Sequence, residues 1–299
     1  LTEEGPMEIE PGDHQVQVST TLYVYLRVRS RFRIRRDPGG NTVSIAFPER
    51  VPVTLAFRGQ GRTPEHTITT PGTPRGVARS ISHLSAALGT ASPDRSYPTL
   101  RSHPPSLRLA DEFDVPSAVA TAVDPSGIEL WVPDDLASVF LIAPLAYYLQ
   151  AEVQVTDAQR GSLRIPAHGV ERPLPPIPAL QEEVRSLLRR AFWLDCLVRN
   201  AGPFGVDLKE TDRLAAIDMD TERVYAMAPD RRFARYLEIE FERLADAFPP
   251  WHLGTYVDPV PENVSTLPPL LDRLSLFILP DSRPISRREL LESALDERY

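Results

Sequence analysis

The sequence predicts a mixed α+β / α/β protein: an N-terminal antiparallel β unit, as a sandwich or partial barrel, then an α/β domain containing a βαβ unit. Three observations carry this reading. Apolar residues alternate with polar ones from Val16 to Ile34, turn residues Asp37-Pro38-Gly39-Gly40-Asn41 precede a renewed alternation, and a strand, a helix and a strand follow one another over 128–155. The 299 residues suggest about two domains of the usual ~150. With 42% hydrophobic and 25% charged residues, the chain has the composition of a globular protein with a sizeable core.

In the first unit Val16, Val18, Thr20, Leu22, Val24, Leu26, Val28, Ser30, Phe32 and Ile34 share one face, and the residues between them share the other. Twenty residues at ~3.3 Å each make one straight strand implausibly long, so a bulge or turn is expected near Ser19-Thr20-Thr21. Val43, Ile45 and Phe47 return as the second strand of a hairpin. Pairing Ile34 with Val43 and Phe32 with Ile45 keeps both apolar sets on one side. Val51, Val53, Leu55 and Phe57 add a further strand. Thr73-Pro74 then caps a helix with Val77, Ile81, Leu84 and Leu88 at helical spacing, closed by Gly89. The predicted division is a β domain over 1–89, a Pro/Ser-rich linker or long loop over 90–127, and an α/β domain over 128–299.

In the last of these, Ile128–Val132 reads as a strand, Asp134-Asp135 as a cap for the apolar stretch Leu136–Ala151, and Glu152–Val155 as a strand parallel to the first. Pro144 should kink that helix, with Ala143 leaving the helical region. Leu180–Asn200 is an amphipathic helix stopped by Gly202-Pro203. Helices at 210–217, 221–227 and 230–247, a strand at Leu253–Val257, a helix at 262–273, a strand at Leu274–Leu279 and a last helix at 287–297 complete the pattern.

Several function classes are excluded or disfavoured. Lys+Arg 33 against Asp+Glu 41 gives a formal net charge of -8, which argues against a chain that binds double-stranded nucleic acid with its whole surface. No apolar run reaches the ~18 residues of a membrane span and no leader is evident, so a cytoplasmic protein away from membranes is expected. Cys196 is the only cysteine and lies mid-helix, a poor setting for a nucleophile. The six histidines lack metal-ligand spacing, and no cofactor motif is present, so no metal and no cofactor are expected.

Two clusters remain as candidates for an anion- or partner-binding surface. Arg27, Arg29, Arg31, Arg33 and Arg35 stand at every second position, which puts five guanidinium groups ~6.6 Å apart on one strand face. Such a row either docks an anion or an acidic protein face, or is a solvated edge paired with the chain's own acids. The second cluster is Arg95, Tyr97, Arg101 and His103 in a proline-stiffened loop, which can hold a carboxylate or phosphate or simply pack over the β unit with Tyr97 as anchor. Only Lys209 is a lysine, an arginine bias that a GC-rich genome also produces.

The words Arg95–Pro105, Ile142–Leu149, Leu194-Asp195-Cys196-Leu197-Val198-Arg199, Gly205-Val206-Asp207-Leu208 and Thr266-Leu267-Pro268 resemble the region preceding the protease-like domain in large archaeal proteins of the CHAT (caspase-like) class. The resemblance covers roughly 90–280. That family's catalytic domain implies a His/Cys dyad, for which this chain has no matching motif, so no catalytic residue is carried over. The resemblance implies a non-catalytic regulatory or interaction module associated with a caspase-like effector. Its partner would be a protein or a small anion. Two other expectations stand beside it: a metal-dependent transferase acting on a phosphorylated or nucleotide substrate with Asp218 and Asp220 near the metal, and a structural subunit of a homo-oligomer paired through β edges.

Overall fold

The computed structural model describes residues 7–19, 22–36, 43–59, 64–203, 217, 219–239 and 251–280. The turn expected at 37–41, the helices at 210–217 and 287–297, and the end of the helix at 230–247 lie outside the described residues. The chain is mixed α+β and divides into two compact units, Leu1–Arg62 and Thr63–Tyr299.

The first unit contains β1 (Met7–Ile9), β2 (Asp13–Ser19), β3 (Leu22–Arg29), β4 (Phe32–Arg36), β5 (Val43–Ala46) and β6 (Val53–Gly59). The long alternation is divided twice: β2 ends at Ser19 and β3 begins at Leu22, antiparallel to it, and β3 gives way to β4 at Ser30-Arg31. The second break moves the chain into another sheet: β2-β3-β6 form one three-stranded antiparallel sheet and β1-β4-β5 the other. No barrel closes among the described residues. Val28, Phe32 and Ile34 form a small buried core, flanked by Ile9, Val16, Ile45 and Phe47. The β4–β5 register differs from expectation by two residues, with Ile34 opposite Ile45 and Arg36 opposite Val43. A shift of two preserves which face each side chain occupies. It also sets Phe32 against Phe47, ring centroids 5.8 Å apart.

The second unit begins with β7 (Thr67–Thr70) and α1 (Pro74–Leu84), whose N-cap Thr73 accepts from the Gly76 amide. Its apolar stripe Val77, Ile81 and Leu84 is buried, and the helix packs against elements lying further along the chain, so the boundary falls at Arg62/Thr63 rather than at residue 89. The segment 90–127 is built into this unit too. It carries β8 (Ser106–Leu109), which pairs in parallel with β7, and α2 (Ser117–Ala122).

The βαβ unit forms as the sequence predicts. β9 (Glu129–Pro133) and β10 (Glu152–Thr156) pair in parallel, joined by α3 (Leu136–Leu149) with Asp135 as its cap, 2.7 Å from the Ser138 amide. β11 (Ser162–Ile165) and β12 (Val170–Pro173) extend the sheet antiparallel, in the order β10-β9-β11-β12. Gly161 is needed where β11 meets β9, because a Cβ there would lie 2.3 Å from the Trp131 carbonyl oxygen. α3 continues through Pro144, and Ala143 stays helical. Every residue from Ser138 to Leu149 is buried. Each large apolar side chain so buried contributes about 1.5–3 kcal/mol, and six of them (Val139, Phe140, Leu141, Ile142, Leu145 and Leu149) outweigh the ~3 kcal/mol of an interior proline.

α4 (Ala179–Val198) packs on α3, followed by α5 (Thr221–Tyr225), α6 (Pro229–Leu237), β13 (Gly254–Tyr256), α7 (Leu267–Asp272) and β14 (Leu276–Ile278). β13 and β14 pair in parallel. Among the described residues no helix is long and apolar enough to cross a membrane.

Candidate functional site

The five arginines of the alternating segment all point to solvent, as their parity requires. They do not share one strand. Arg27 and Arg29 stand on β3, Arg31 in the bend, and Arg33 and Arg35 on β4 in the second sheet. Two of them are answered by acids of the same unit. Arg27 reaches diagonally across the ladder to Asp13, Nη2 to Oδ2 3.1 Å, although Asp13 lies opposite Arg29 in register. The hydrogen bond and charge of Arg27 hold the Asp13 carboxyl below its usual value. Arg33 Nε lies 3.1 Å from Glu8 Oε1. Arg29, Arg31 and Arg35 make no ion pair among the described residues. Residues 1–62 hold nine arginines against seven acidic residues, a local positive excess in a chain of net charge -8. A groove of about 430 Å³ is lined by Arg31 and Arg33 together with Glu8, Phe32 and Phe47.

The second cluster lies in the other unit and has a different fate. Arg95, expected on a binding loop, is 1% exposed in a short 3-10 turn packed on α4. Its Nε donates to Asp195 Oδ2 at 2.9 Å, and Asp195 is fully buried. The Tyr148 hydroxyl donates to the same oxygen at 2.8 Å and the Tyr236 hydroxyl to Oδ1 at 3.0 Å. Arg232 Nε lies 3.3 Å from Oδ1, while its Nη1 donates to the Met227 carbonyl. Burial works against the Asp195 carboxylate, but Arg95 first and then Arg232 outweigh it and hold the carboxyl below its usual value. The same burial, together with Asp195, pushes both tyrosines well above theirs. A carboxylate pinned in its charged form between two guanidiniums neither gives nor takes a proton at neutral pH. The constellation is a keystone joining the 93–96 turn, α3, α4 and α6.

The rest of the loop is likewise tied into the fold. Tyr97 is half-buried, with the Arg199 guanidinium 5.2 Å from its ring centre, and Arg199 donates to the Ser96 hydroxyl at 2.9 Å. Arg101 is half-buried and its backbone bridges to Leu88. The half-buried His103 ring lies 2.7 Å from the Pro104 carbonyl through Nδ1. The segment is packed, but on α4 of the second unit rather than over the β unit, and Arg95 is its buried anchor.

Cys196 is partly buried, and burial pushes its thiol up, the reverse of what a nucleophile needs. Its electrostatic neighbours are Arg199, Ser96, Asp195 and Arg101, with no histidine among them. Asp220 caps α5 by accepting from the Arg223 amide at 3.1 Å, and Asp218 lies outside the described residues. Among the described residues no group of three or more His, Cys, Asp or Glu converges as metal ligands.

The buried Asp195 is the residue that sequence reasoning missed. It falls four after Ala191 and seven after Leu188, inside the apolar stripe of α4, and a charged residue in such a stripe signals a buried partner.

Compared with known proteins, the chain matches no family model, no curated protein and no solved structure.

Proposed function

We propose that this chain is a non-enzymatic, cytoplasmic interaction or regulatory module that works with a caspase-like effector, and that its N-terminal β unit docks an acidic segment of its protein partner. One observation carries the docking: Arg29, Arg31 and Arg35 are exposed and make no ion pair among the described residues, on a unit with a local excess of arginine. Guanidinium groups bind carboxylates in bidentate fashion, and several of them along one stretch of chain favour an extended acidic peptide over a single point charge. The groove that Arg31 lines also counts Ile9, Phe32 and Phe47 among its walls, an apolar lining for a hydrophobic residue among the acids. The caspase-like association rests on the sequence resemblance, and the location on the absence of any cysteine pair that could form an internal disulfide.

The test uses a fluorescein-labelled glutamate-rich peptide and anisotropy. Binding is expected, with affinity falling at least about tenfold as the Debye length shrinks from ~10 Å in 0.1 M salt to ~3 Å in 1 M. Arg29→Glu with Arg31→Glu should abolish it while the melting temperature holds, since both side chains are exposed. Equal binding by that variant, or by an uncharged peptide, or no binding by the native chain, counts against the proposal.

A further inference from the structure

While α1 buries Val77, Ile81 and Leu84, an adjoining stripe of the same helix carries Arg75, Arg79 and His83 at helical spacing. That stripe is one wall of a cleft of about 670 Å³. The facing wall comes from the starts of β9 and β10 and the end of α3, and carries Glu129, Glu152 and Gln150. Two guanidiniums thus line the cleft with two carboxylates, and among the described residues no ion pair crosses it. Arg75 turns to Asp134 and Asp157, at 3.2 and 2.9 Å. The Arg79 guanidinium lies 3.9 Å from the centre of the Phe113 ring, which leaves its edges free. Glu129 accepts from the Trp131 indole at 2.8 Å and Glu152 from the Gln154 amide, each keeping acceptor capacity.

The acceptor wall holds one group that the fold leaves unanswered. Gln150 is only 5% exposed, and its Oε1 has no hydrogen-bond partner. It sits in the left-handed region at φ 55, ending α3, with its carbonyl held by the Ser126 hydroxyl at 2.9 Å. Across the cleft His83 Nδ1 is also buried without a partner, and burial together with Arg79 favours the neutral ring, whose Nδ1 donates or accepts according to the tautomer. Buried polar atoms are normally paired, and two unpaired ones in one cleft, one of them an acceptor, mark a place where a polar ligand belongs. A simple anion would face Glu129 and Glu152, and a simple cation would face Arg79, since Arg75 is already answered by two acids. A molecule with both charges meets both walls.

We propose that this cleft binds a small zwitterion of the amino-acid class, its carboxylate on Arg79 and its ammonium against Gln150 Oε1 and the Glu129 and Glu152 carboxylates. The volume leaves room for a side chain as well. The site belongs to the second unit, so its failure leaves the arginine face of the first untouched, and the converse holds.

Thermal-shift measurements on the full chain with each standard amino acid test it. At least one should raise the melting temperature by about 3 °C or more at ten times its Kd. Its N-acetyl derivative, lacking the ammonium, and its decarboxylated amine should each lose the shift. Arg79→Gln and Glu152→Gln, both at exposed side chains, should each weaken binding at least tenfold. A change in the unliganded melting temperature of either variant would leave the analogue comparison on the native chain to decide. No shift with any amino acid, or an equal shift from the acetylated or decarboxylated analogue, overturns the proposal.

Discussion

Arg95 and Asp195 are a hundred positions apart in the chain and meet at 2.9 Å with neither side chain open to water. Two tyrosine hydroxyls and a second guanidinium complete the carboxylate's surroundings. A buried pair adds little stability over an apolar replacement of the same shape, but removing one partner strands the other charge. Asp195→Ala should therefore cost about 3–5 kcal/mol in a denaturant titration. A loss well under ~1 kcal/mol would mean that the guanidiniums reach water without it.

The same carboxylate predicts a pH dependence. Its folded value lies below the ordinary 3.8, because Arg95 and Arg232 outweigh the effect of burial. As pH falls, the unfolded chain takes up this proton first, so unfolding becomes progressively easier. The stabilisation is fully present above the unfolded value and is lost as pH falls through the folded one. The stability gap between the native chain and Asp195→Asn should accordingly be constant from neutral pH down to about 5 and close below ~4. A gap that stays unchanged to pH ~2 would show that the carboxyl titrates alike in both states.

What was legible in the sequence is local. Asp135 followed by an apolar run, with short alternating strands on either side, specifies β9, α3 and β10 because caps and periodicity act within a few residues. The exposure of Arg27 to Arg35 follows from parity alone. Their division between two sheets does not, since Ser30-Arg31 carries no Gly or Pro to mark the break. The partners of α1 are β10 and α3, some seventy residues on, so nothing near residue 89 reveals that the helix belongs to the second unit. The Asp195 constellation is hidden for the same reason. Asp195 betrays itself by its place in an apolar stripe, but Arg95, Tyr148 and Arg232 come from three other elements. The continuity of α3 through Pro144 is not local either, because burial on every side outweighs the helix-breaking tendency of the proline.

The join between α1 and β10 yields the last prediction. β10 is an edge strand, and its Val153 amide donates at 2.9 Å to the Ser82 hydroxyl of α1, which in turn donates to the Ala78 carbonyl. The helix thus supplies a hydrogen bond that a neighbouring strand would otherwise provide. Val153 is buried, so Ser82→Ala leaves its amide without that acceptor. The cost is about 1–3 kcal/mol, the penalty for a buried unpaired donor. Hydrogen exchange at the Val153 amide should accelerate more than at Val132 or Leu130 in the sheet interior, because the loss is local to the edge. Exchange at Val153 that is unchanged in Ser82→Ala would show that the strand holds this amide without the helix, and that α1 docks by its apolar stripe alone.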